Sequence, residues 1–280
     1  MKLAVDHVTV CGSDLAAMRR SFAAVGLATR YGGPHGNGVT HMDLLAFADG
    51  SYLELIAPIA PGASAAAMMG GWSAMMESNA GAGAWAVASA AIQNDVDRLR
   101  LGGIEVRDPE PGSRKRPEGT VLEWEMAVLG PGAPGSVLPF LIQDKTSRTL
   151  RVPAPCDAPL PVRGVACVVL GVRNLNVAID LFRRACDLEP PRIEKHEDFG
   201  AALAHFVGTP IILAAPLDER SWLHARLERF GECPAAFLLA TPDFSQAKCL
   251  LALRESARWL GRDLAWFDEG MLGARIGVIE

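Results

Sequence analysis

Hydrophobic and polar positions near the N-terminus fall into short segments that predict four strands and one helix. Residues 3–11 are mostly apolar and β-branched, which is typical of a strand. Apolar residues then recur at steps of three and four along residues 15–26, which predicts a helix. Further strands are predicted at residues 27–31 and 40–47, followed by a short strand that carries Glu54 between two leucines. The predicted order is β-α-β-β-β.

This order recurs in the rest of the chain. The small-residue and methionine-rich stretch 61–79 is predicted to form a connecting helix, and the turn-rich segment 109–119 is predicted to be a loop. The second unit is predicted to have strands at 84–89, 104–107, 121–129 and 138–143 and a helix at 92–102. The third is predicted to have strands at 165–172, 192–196, 201–207 and 210–214 and a helix at 175–186. The fourth is predicted to have strands at 235–240, 264–267 and 275–279 and a helix at 244–257.

The proline-rich segment 152–162 divides the four units into two pairs, because proline stiffens an extended chain and cannot join a central strand. We therefore expect a first domain at residues 1–151, a linker, and a second domain at residues 163–280.

The third unit repeats the first. Aligning NLNVAIDLF with DLAAMRRSF places Cys167 at the position of His7, and a later match of IILAAP with LELIAP places Ile212 at the position of Glu54. A carboxylate within an apolar strand is uncommon unless something pairs with it. Because the second copy keeps the scaffold and lacks both polar residues, His7 and Glu54 indicate a site and not a requirement of the fold.

Composition limits the partners and the compartment. Half of the 280 residues are hydrophobic, which is enough for a sizeable core. No uncharged apolar run approaches the roughly 20 residues that span a bilayer, and the N-terminus does not resemble a secretory signal. The six cysteines show no CxxC spacing, which is typical of reduced thiols and not of a disulfide framework or a structural zinc site. The net charge of −5 provides no basic footprint for nucleic acid. We therefore expect a cytoplasmic protein without membrane association.

Several motifs give the chain a family resemblance. The motifs are the DHV of the first strand and the segments GGPHGNGVTH, DGSYLELIAP, LEWEM and LPFLIQDKTSRTLRVP. With them the chain resembles the vicinal oxygen chelate superfamily of glyoxalase, bleomycin-resistance and dioxygenase proteins, and more narrowly its glyoxalase-like domain group. The resemblance covers residues 1–152 and reaches the C-terminal half through the unit order alone. It implies an α+β fold in which tandem β-α-β-β-β units form two domains, each with a curved mixed sheet around a cavity.

In that superfamily the metal ligands come from the first and last strands of each unit. The resemblance therefore implies His7 and Glu54 as ligands from the first unit. In the second unit it points to Trp85 or Ala86, which cannot ligate, and to Gln143, a weak ligand or substrate contact. Imidazole and carboxylate suit a divalent ion such as Zn, Fe, Mn or Ni. The alternative is a metal-free pocket in which His7 and Glu54 hydrogen-bond to each other.

Other residues are candidates for the same cavity. His41 could complete a metal site of two histidines and one carboxylate, or act with Glu54 as a catalytic acid–base pair, or lie at the surface. His35 lies in a glycine-rich loop that is predicted to form a mobile, substrate-contacting edge of the cavity. Trp85 and Trp124 are candidates for an apolar substrate-binding wall or for ordinary core packing.

Two classes of function remain open from the sequence. One is a metal-dependent lyase, isomerase or dioxygenase that acts on a small oxygen-bearing organic substrate. The other is a non-catalytic protein that sequesters a hydrophobic small molecule, as bleomycin-resistance proteins do. Extradiol ring cleavage fits less well, because those enzymes keep their ligands in the C-terminal half, where this chain has Cys167 and Ile212. In either class the partner is a small molecule and the protein is a monomer or a homodimer.

Overall fold

Each half of the chain forms one eight-stranded mixed sheet with helices packed against it. The computed structural model describes residues 3–60, 72–116, 118–130, 136–155 and 160–280. The elements of the first half are β1 (Val5–Cys11), α1 (Leu15–Ala24), β2 (Arg30–Pro34), β3 (Thr40–Ala46), β4 (Tyr52–Pro58), α2 (Trp72–Glu77), β5 (Gly81–Ala88), α3 (Ile92–Leu101), β6 (Glu110–Lys115), β7 (Val121–Val128), β8 (Phe140–Asp144) and α4 (Arg148–Arg151). Those of the second half are β9 (Gly164–Gly171), α5 (Leu175–Cys186), β10 (Arg192–His196), β11 (Ala201–His205), β12 (Ile211–Pro216), α6 (Trp222–Phe230), β13 (Cys233–Ala240), α7 (Phe244–Leu250), β14 (Leu253–Trp259), β15 (Arg262–Phe267), α8 (Glu269–Leu272) and β16 (Ile276–Ile279).

The two sheets have the same strand order. The first is β2-β3-β4-β1-β5-β8-β7-β6 and the second is β10-β11-β12-β9-β13-β16-β15-β14. In each sheet the first strands of the two units pair antiparallel, β1 with β5 and β9 with β13. Each first strand also pairs in parallel with the last strand of its own unit, as β1 does with β4. The predicted α+β fold of four β-α-β-β-β units is confirmed.

The first sheet closes almost into a barrel, whereas the second stays open. His35, just after β2, forms an isolated bridge with Arg114 of β6, and the Gly36 N–H donates to the Ser113 carbonyl oxygen at 2.9 Å. Glycine is needed at position 36, because a Cβ there would lie 2.7 Å from that oxygen. Within residues 160–280 no bridge joins the edge strands β10 and β14. Closure therefore distinguishes the two halves.

A continuous hydrophobic core lies on the faces of both sheets that point away from their cavities. It contains buried residues of both halves, among them Val8, Phe22, Val168 and Phe182. Arg226 of α6 adds a polar contact between the halves, since its guanidinium donates to the Ala80 carbonyl oxygen at 2.7 Å. None of the helices in the described ranges is long and apolar enough to cross a membrane.

Two strands form where the sequence predicted something else. β6 lies within the segment 109–119 that was predicted to be a loop, and the predicted strand 104–107 makes only one bridge, from Val106 to Leu129. Proline, glycine and charged residues are poor strand formers, but pairing with β7 and closure of the barrel override that propensity. β14 replaces the end of the helix predicted at 244–257 because it pairs with β15.

The connecting segments also differ from the prediction. α2 occupies the end of the stretch 61–79 predicted to be a connecting helix, of which residues 61–71 lie outside the described residues. Its counterpart in the second half, α6, was not predicted. It is amphipathic, with Leu223 and Leu227 buried against the second sheet.

Candidate functional site

The first sheet encloses a cavity of about 460 Å³. Alternate residues of several strands face it, because successive side chains of a strand point to opposite faces. Its polar wall includes His7, Thr9, His35, Glu54 and Arg114. Much of the remaining wall is apolar and includes Met42, Ile56, Trp124, Met126, Phe140 and Ile142. The cavity is large enough for a small organic molecule.

His7 and Glu54 face this cavity from adjacent strands. The parallel pairing of β1 with β4 sets His7 beside Tyr52 and Thr9 beside Glu54. An offset of two residues on neighbouring strands separates the Cα atoms of His7 and Glu54 by about 8 Å. The structure thus brings together the two residues that the repeat comparison singled out.

Glu54 is a buried carboxylate held by two donors. The Thr9 hydroxyl donates to Oε2 at 3.0 Å, and Nε2 of His35 lies 3.4 Å from Oε1. Nδ1 of His35 is in turn 2.8 Å from the Thr40 hydroxyl, which orients the imidazole. Burial alone would raise the pKa of Glu54, but the hydrogen bond and charge of His35, the charge of His7 and the Thr9 hydroxyl lower it to about 2. Glu54 is therefore ionised at neutral pH.

His7 is oriented by a carboxylate of its own. Its Nδ1 lies 2.7 Å from Oδ1 of Asp6, its ring stacks on Tyr52 with centroids 4.6 Å apart, and Phe140 packs against it in a T-shaped arrangement with centroids 5.3 Å apart. Asp6 is the extra residue of a bulge in β1 opposite β5, and this irregularity lets neighbouring side chains of one strand meet. A carboxylate on Nδ1 fixes that nitrogen as the donor, so Nε2 is the nitrogen left for chemistry.

Asp6 belongs to a buried ionic network. Both of its oxygens accept hydrogen bonds from Arg151, at 3.1 and 2.8 Å, and Arg148 pairs with it as well. Arg151 also contacts Asp144 at 3.1 Å and the Tyr52 hydroxyl at 2.9 Å. Burial would raise the pKa of Asp6, but the hydrogen bond and charge of His7 and the charge of Arg151 hold it well below its usual range. Asp6 is thus a fixed negative charge behind His7.

Comparison with known proteins agrees with this architecture. The family model described as a glyoxalase-like domain matches residues 5–204. The chain belongs to the glyoxalase-like domain family. Its fold is that of the vicinal oxygen chelate superfamily, whose members commonly bind divalent metals. No curated protein matches the chain significantly.

Two solved structures resemble this glyoxalase-like protein over nearly its whole length, and a third over less than half of it, all at low sequence identity. A triple mutant of 4-hydroxymandelate synthase from Streptomyces coelicolor is 12% identical, with a TM-score of 0.63 over 100% of this chain and 92% of that one. A hypothetical protein from Staphylococcus aureus is 12% identical, with a TM-score of 0.62 over 98% of both chains. Methylmalonyl-CoA epimerase from Mycobacterium tuberculosis is 23% identical, with a TM-score of 0.40 over 45% of this chain and 92% of that one. The first two likenesses show the shared fold.

The residues of the cavity do not fit the metal site that this superfamily implies. In the second unit, the pairing of β5 with β8 puts Ala86 at the position of His7 and Ile142 at the position of Glu54. Neither side chain can ligate. Within the part of the chain that the structure describes, no three His, Cys, Asp or Glu side chains are grouped closely enough to hold a metal ion. The chemistry of the cavity is therefore derived below from its protein groups.

Three residues that the sequence suggested for the site lie elsewhere. His41 pairs with Ala57 on the face of the sheet opposite Glu54, where its ring lies nearly perpendicular to that of Tyr31 with centroids 6.0 Å apart. The predicted role of His41 as metal ligand, acid–base partner or substrate contact is therefore not supported, because its neighbours Thr40 and Met42 are the residues that face the cavity.

The other two are also on the core side. Trp85 is buried in the hydrophobic core and its indole N–H donates to the Val137 carbonyl oxygen at 3.1 Å, so it does not contact a substrate. Gln143 accepts a hydrogen bond from the Ile92 N–H at 2.7 Å at the start of α3, and Ile142 takes the cavity-facing position. The Gln143 side chain, on strand β8, therefore supports the start of α3 and does not face the cavity.

His35 and Trp124 do line the cavity. His35 lies in the bridge that closes the barrel, so it is part of the wall and not of a free loop. Arg114 of β6 was missed, because its segment was predicted to be a loop. The internal repeat contained the signal, since a β-α-β-β-β unit requires a strand in this segment to match β2.

The second sheet has no charged side chain at the positions of His7 and Glu54. Cys167 and Ile212, the counterparts of His7 and Glu54, are both buried in an apolar cluster. Burial raises the pKa of the Cys167 thiol to about 11, so it stays neutral. The second half therefore has no ionised group at the positions of His7 and Glu54.

Proposed function

We propose that the first domain, residues 1–151, is a metal-independent proton-transfer site for a small organic carbon acid, and that the second domain, residues 163–280, is a degenerate copy. The observation that carries this proposal is the environment of His7. Its Nδ1 is fixed by Asp6, and the ring belongs to the wall of a cavity that also contains the ionised Glu54.

In the proposed reaction His7 is the base. Nε2 takes a proton from a carbon next to a carbonyl group, the C–H electron pair forms the C=C bond of an enolate while the C=O π pair moves onto the oxygen, and the proton then returns to the same carbon as the carbonyl group re-forms. The imidazolium formed in between is stabilised by two negative charges, Asp6 on Nδ1 and Glu54 across the cavity. The low pKa of Glu54 suits this electrostatic role better than the role of base.

Proton exchange tests the proposal directly. We expect the purified protein to speed deuterium incorporation at C3 of 4-methyl-2-pentanone or 4-methyl-2-oxopentanoate in D₂O, followed by ¹H NMR. His7→Asn should reduce the rate by about 100-fold or more, the range expected for loss of a general base. The matched control is His41→Asn, a histidine on the opposite face of the same sheet, which should keep the rate. If the wild-type protein exchanges neither probe, the proton-transfer proposal is wrong.

A second candidate, binding without chemistry, is supported by the apolar part of the wall. Met42, Met126, Phe140 and Ile142 offer a surface that suits a hydrophobic ligand. Binding that persists unchanged in His7→Asn, with no exchange by the wild-type protein, would favour this alternative.

A further inference from the structure

Two arginines, Arg114 and Arg151, line the cavity, and only one of them is paired with carboxylates. Arg151 is paired with the carboxylates of Asp6 and Asp144. Burial alone would lower the pKa of Arg151, but the surrounding Tyr52, Asp144 and Asp6 raise it above its ordinary value. Arg114 makes no ion pair with any residue that the structure describes, and burial lowers its pKa.

Arg114 is a buried charge with spare donors. It is 3% exposed, and its contacts are the carbonyl oxygens of Gly32 (3.1 Å) and Arg151 and the sulfur of Met42 (3.6 Å). Its Nε is buried without a hydrogen-bond partner among the described residues. A guanidinium has five N–H donors, so these contacts leave at least two unused. Carbonyl oxygens carry no net charge to balance the cation, and an unbalanced buried charge is costly.

Glu54 does not fill this gap. Its two oxygens are engaged by Thr9 and His35, and it forms no ion pair with Arg114. The sequence meanwhile makes room for the guanidinium, because a Cβ at Gly32 would lie 2.7 Å from Nη1 of Arg114. The fold thus keeps a cation where β2 approaches β6, and no carboxylate among the described residues forms an ion pair with it.

We propose that Arg114 binds a carboxylate of the ligand, so that the cavity selects small organic acids with an apolar body over neutral molecules of the same shape. A carboxylate matches the planar donors of a guanidinium and supplies the missing negative charge. The apolar body of the ligand then lies against side chains such as Ile142 and Met126. This inference rests on the proposed function in one respect, namely that the cavity binds a small organic molecule.

Matched probes test the selection. 4-Methyl-2-oxopentanoate and 4-methyl-2-pentanone share the apolar body and the ketone and differ in the carboxylate. We expect the wild-type protein to bind the acid at least about tenfold more tightly than the ketone in isothermal titration calorimetry, and Arg114→Met to lose that preference. The control Arg116→Met removes a neighbouring arginine that pairs with Glu118 and does not line the cavity, and it should change neither affinity.

The outcomes separate the two proposals. Equal affinity for both probes in the wild-type protein, binding of neither, or a preference that survives in Arg114→Met would overturn the role of Arg114. If Arg114→Met does not fold, as judged by circular dichroism, Arg114→Lys takes its place; it keeps the charge and loses the planar fork, and it should weaken binding of the acid alone. Acid-selective binding without proton exchange would leave this inference standing and defeat the proposed chemistry. Proton exchange of the neutral ketone without selective binding of the acid would support the proposed chemistry and overturn the role of Arg114.

Discussion

The Glu54 carboxylate allows the electrostatics of the cavity wall to be measured as protein stability. We consider Glu54→Gln, which keeps the shape of the side chain and its capacity to accept the Thr9 hydroxyl. The pKa of Glu54 falls from its ordinary value of 4.5 to about 2 in the folded protein, because the partners described above outweigh its burial. A group whose pKa is depressed by folding stabilises the folded state above its unfolded pKa, and this contribution is lost as the pH falls toward the folded value.

The size of the effect follows from the same numbers. Each unit of difference between the folded and unfolded pKa corresponds to about 1.4 kcal/mol, so the ionised carboxylate contributes about 3 kcal/mol at pH 6. At pH 3 the carboxylate is partly protonated, and its contribution to the free energy of unfolding falls to about 1.4 kcal/mol. The unfolding free energy of the wild-type protein relative to Glu54→Gln should therefore fall by about 2 kcal/mol between pH 6 and pH 3.

Urea unfolding followed by tryptophan fluorescence at several pH values measures this difference, and the comparison with Glu54→Gln cancels the contribution of Asp6. Glu105→Gln, the same substitution at an exposed residue, is the control for the loss of one carboxylate. A wild-type advantage over Glu54→Gln that stays constant to within about 0.5 kcal/mol, or that grows on acidification, would refute the account of Glu54 as a carboxylate stabilised by His35.

Three further changes test the supports of the site. Asp6→Asn leaves the buried Arg151 without one of its two carboxylate partners and should lower the free energy of unfolding by about 3 kcal/mol, whereas a loss below about 1 kcal/mol would show that the network is dispensable. Gly36→Ala should push residue 36 away from Ser113, where β2 meets β6, and lower the free energy of unfolding by about 1–3 kcal/mol. Amide hydrogen exchange of β2 and β6 should become faster, and unchanged exchange would contradict closure of the barrel. Gln143→Leu removes the hydrogen bond to the Ile92 N–H at the start of α3, so it should lower the free energy of unfolding by about 1 kcal/mol and leave acid binding intact. Weakened acid binding would restore a role for Gln143 in the cavity.

The sequence could predict more of the fold than of the site. Short strands, helical spacing and the repeated unit order identify four β-α-β-β-β units, since these patterns depend on local alternation of side chains. β6 could not be recognised from its composition. Its residues gain strand geometry from pairing with β7 and from the bridge to His35, which joins positions about 80 residues apart.

The sequence by itself singled out His7 and Glu54 as candidates, because both are polar within apolar strands and their counterparts Cys167 and Ile212 are not charged. Only the tertiary structure decided which other residues join them. A strand sends successive side chains to opposite faces, so a shift of one residue separates the cavity-facing Ile142 from Gln143. Closure of the sheet then brings His35 to Glu54 and sets Arg114 into the same wall, and no local pattern of the chain encodes that contact.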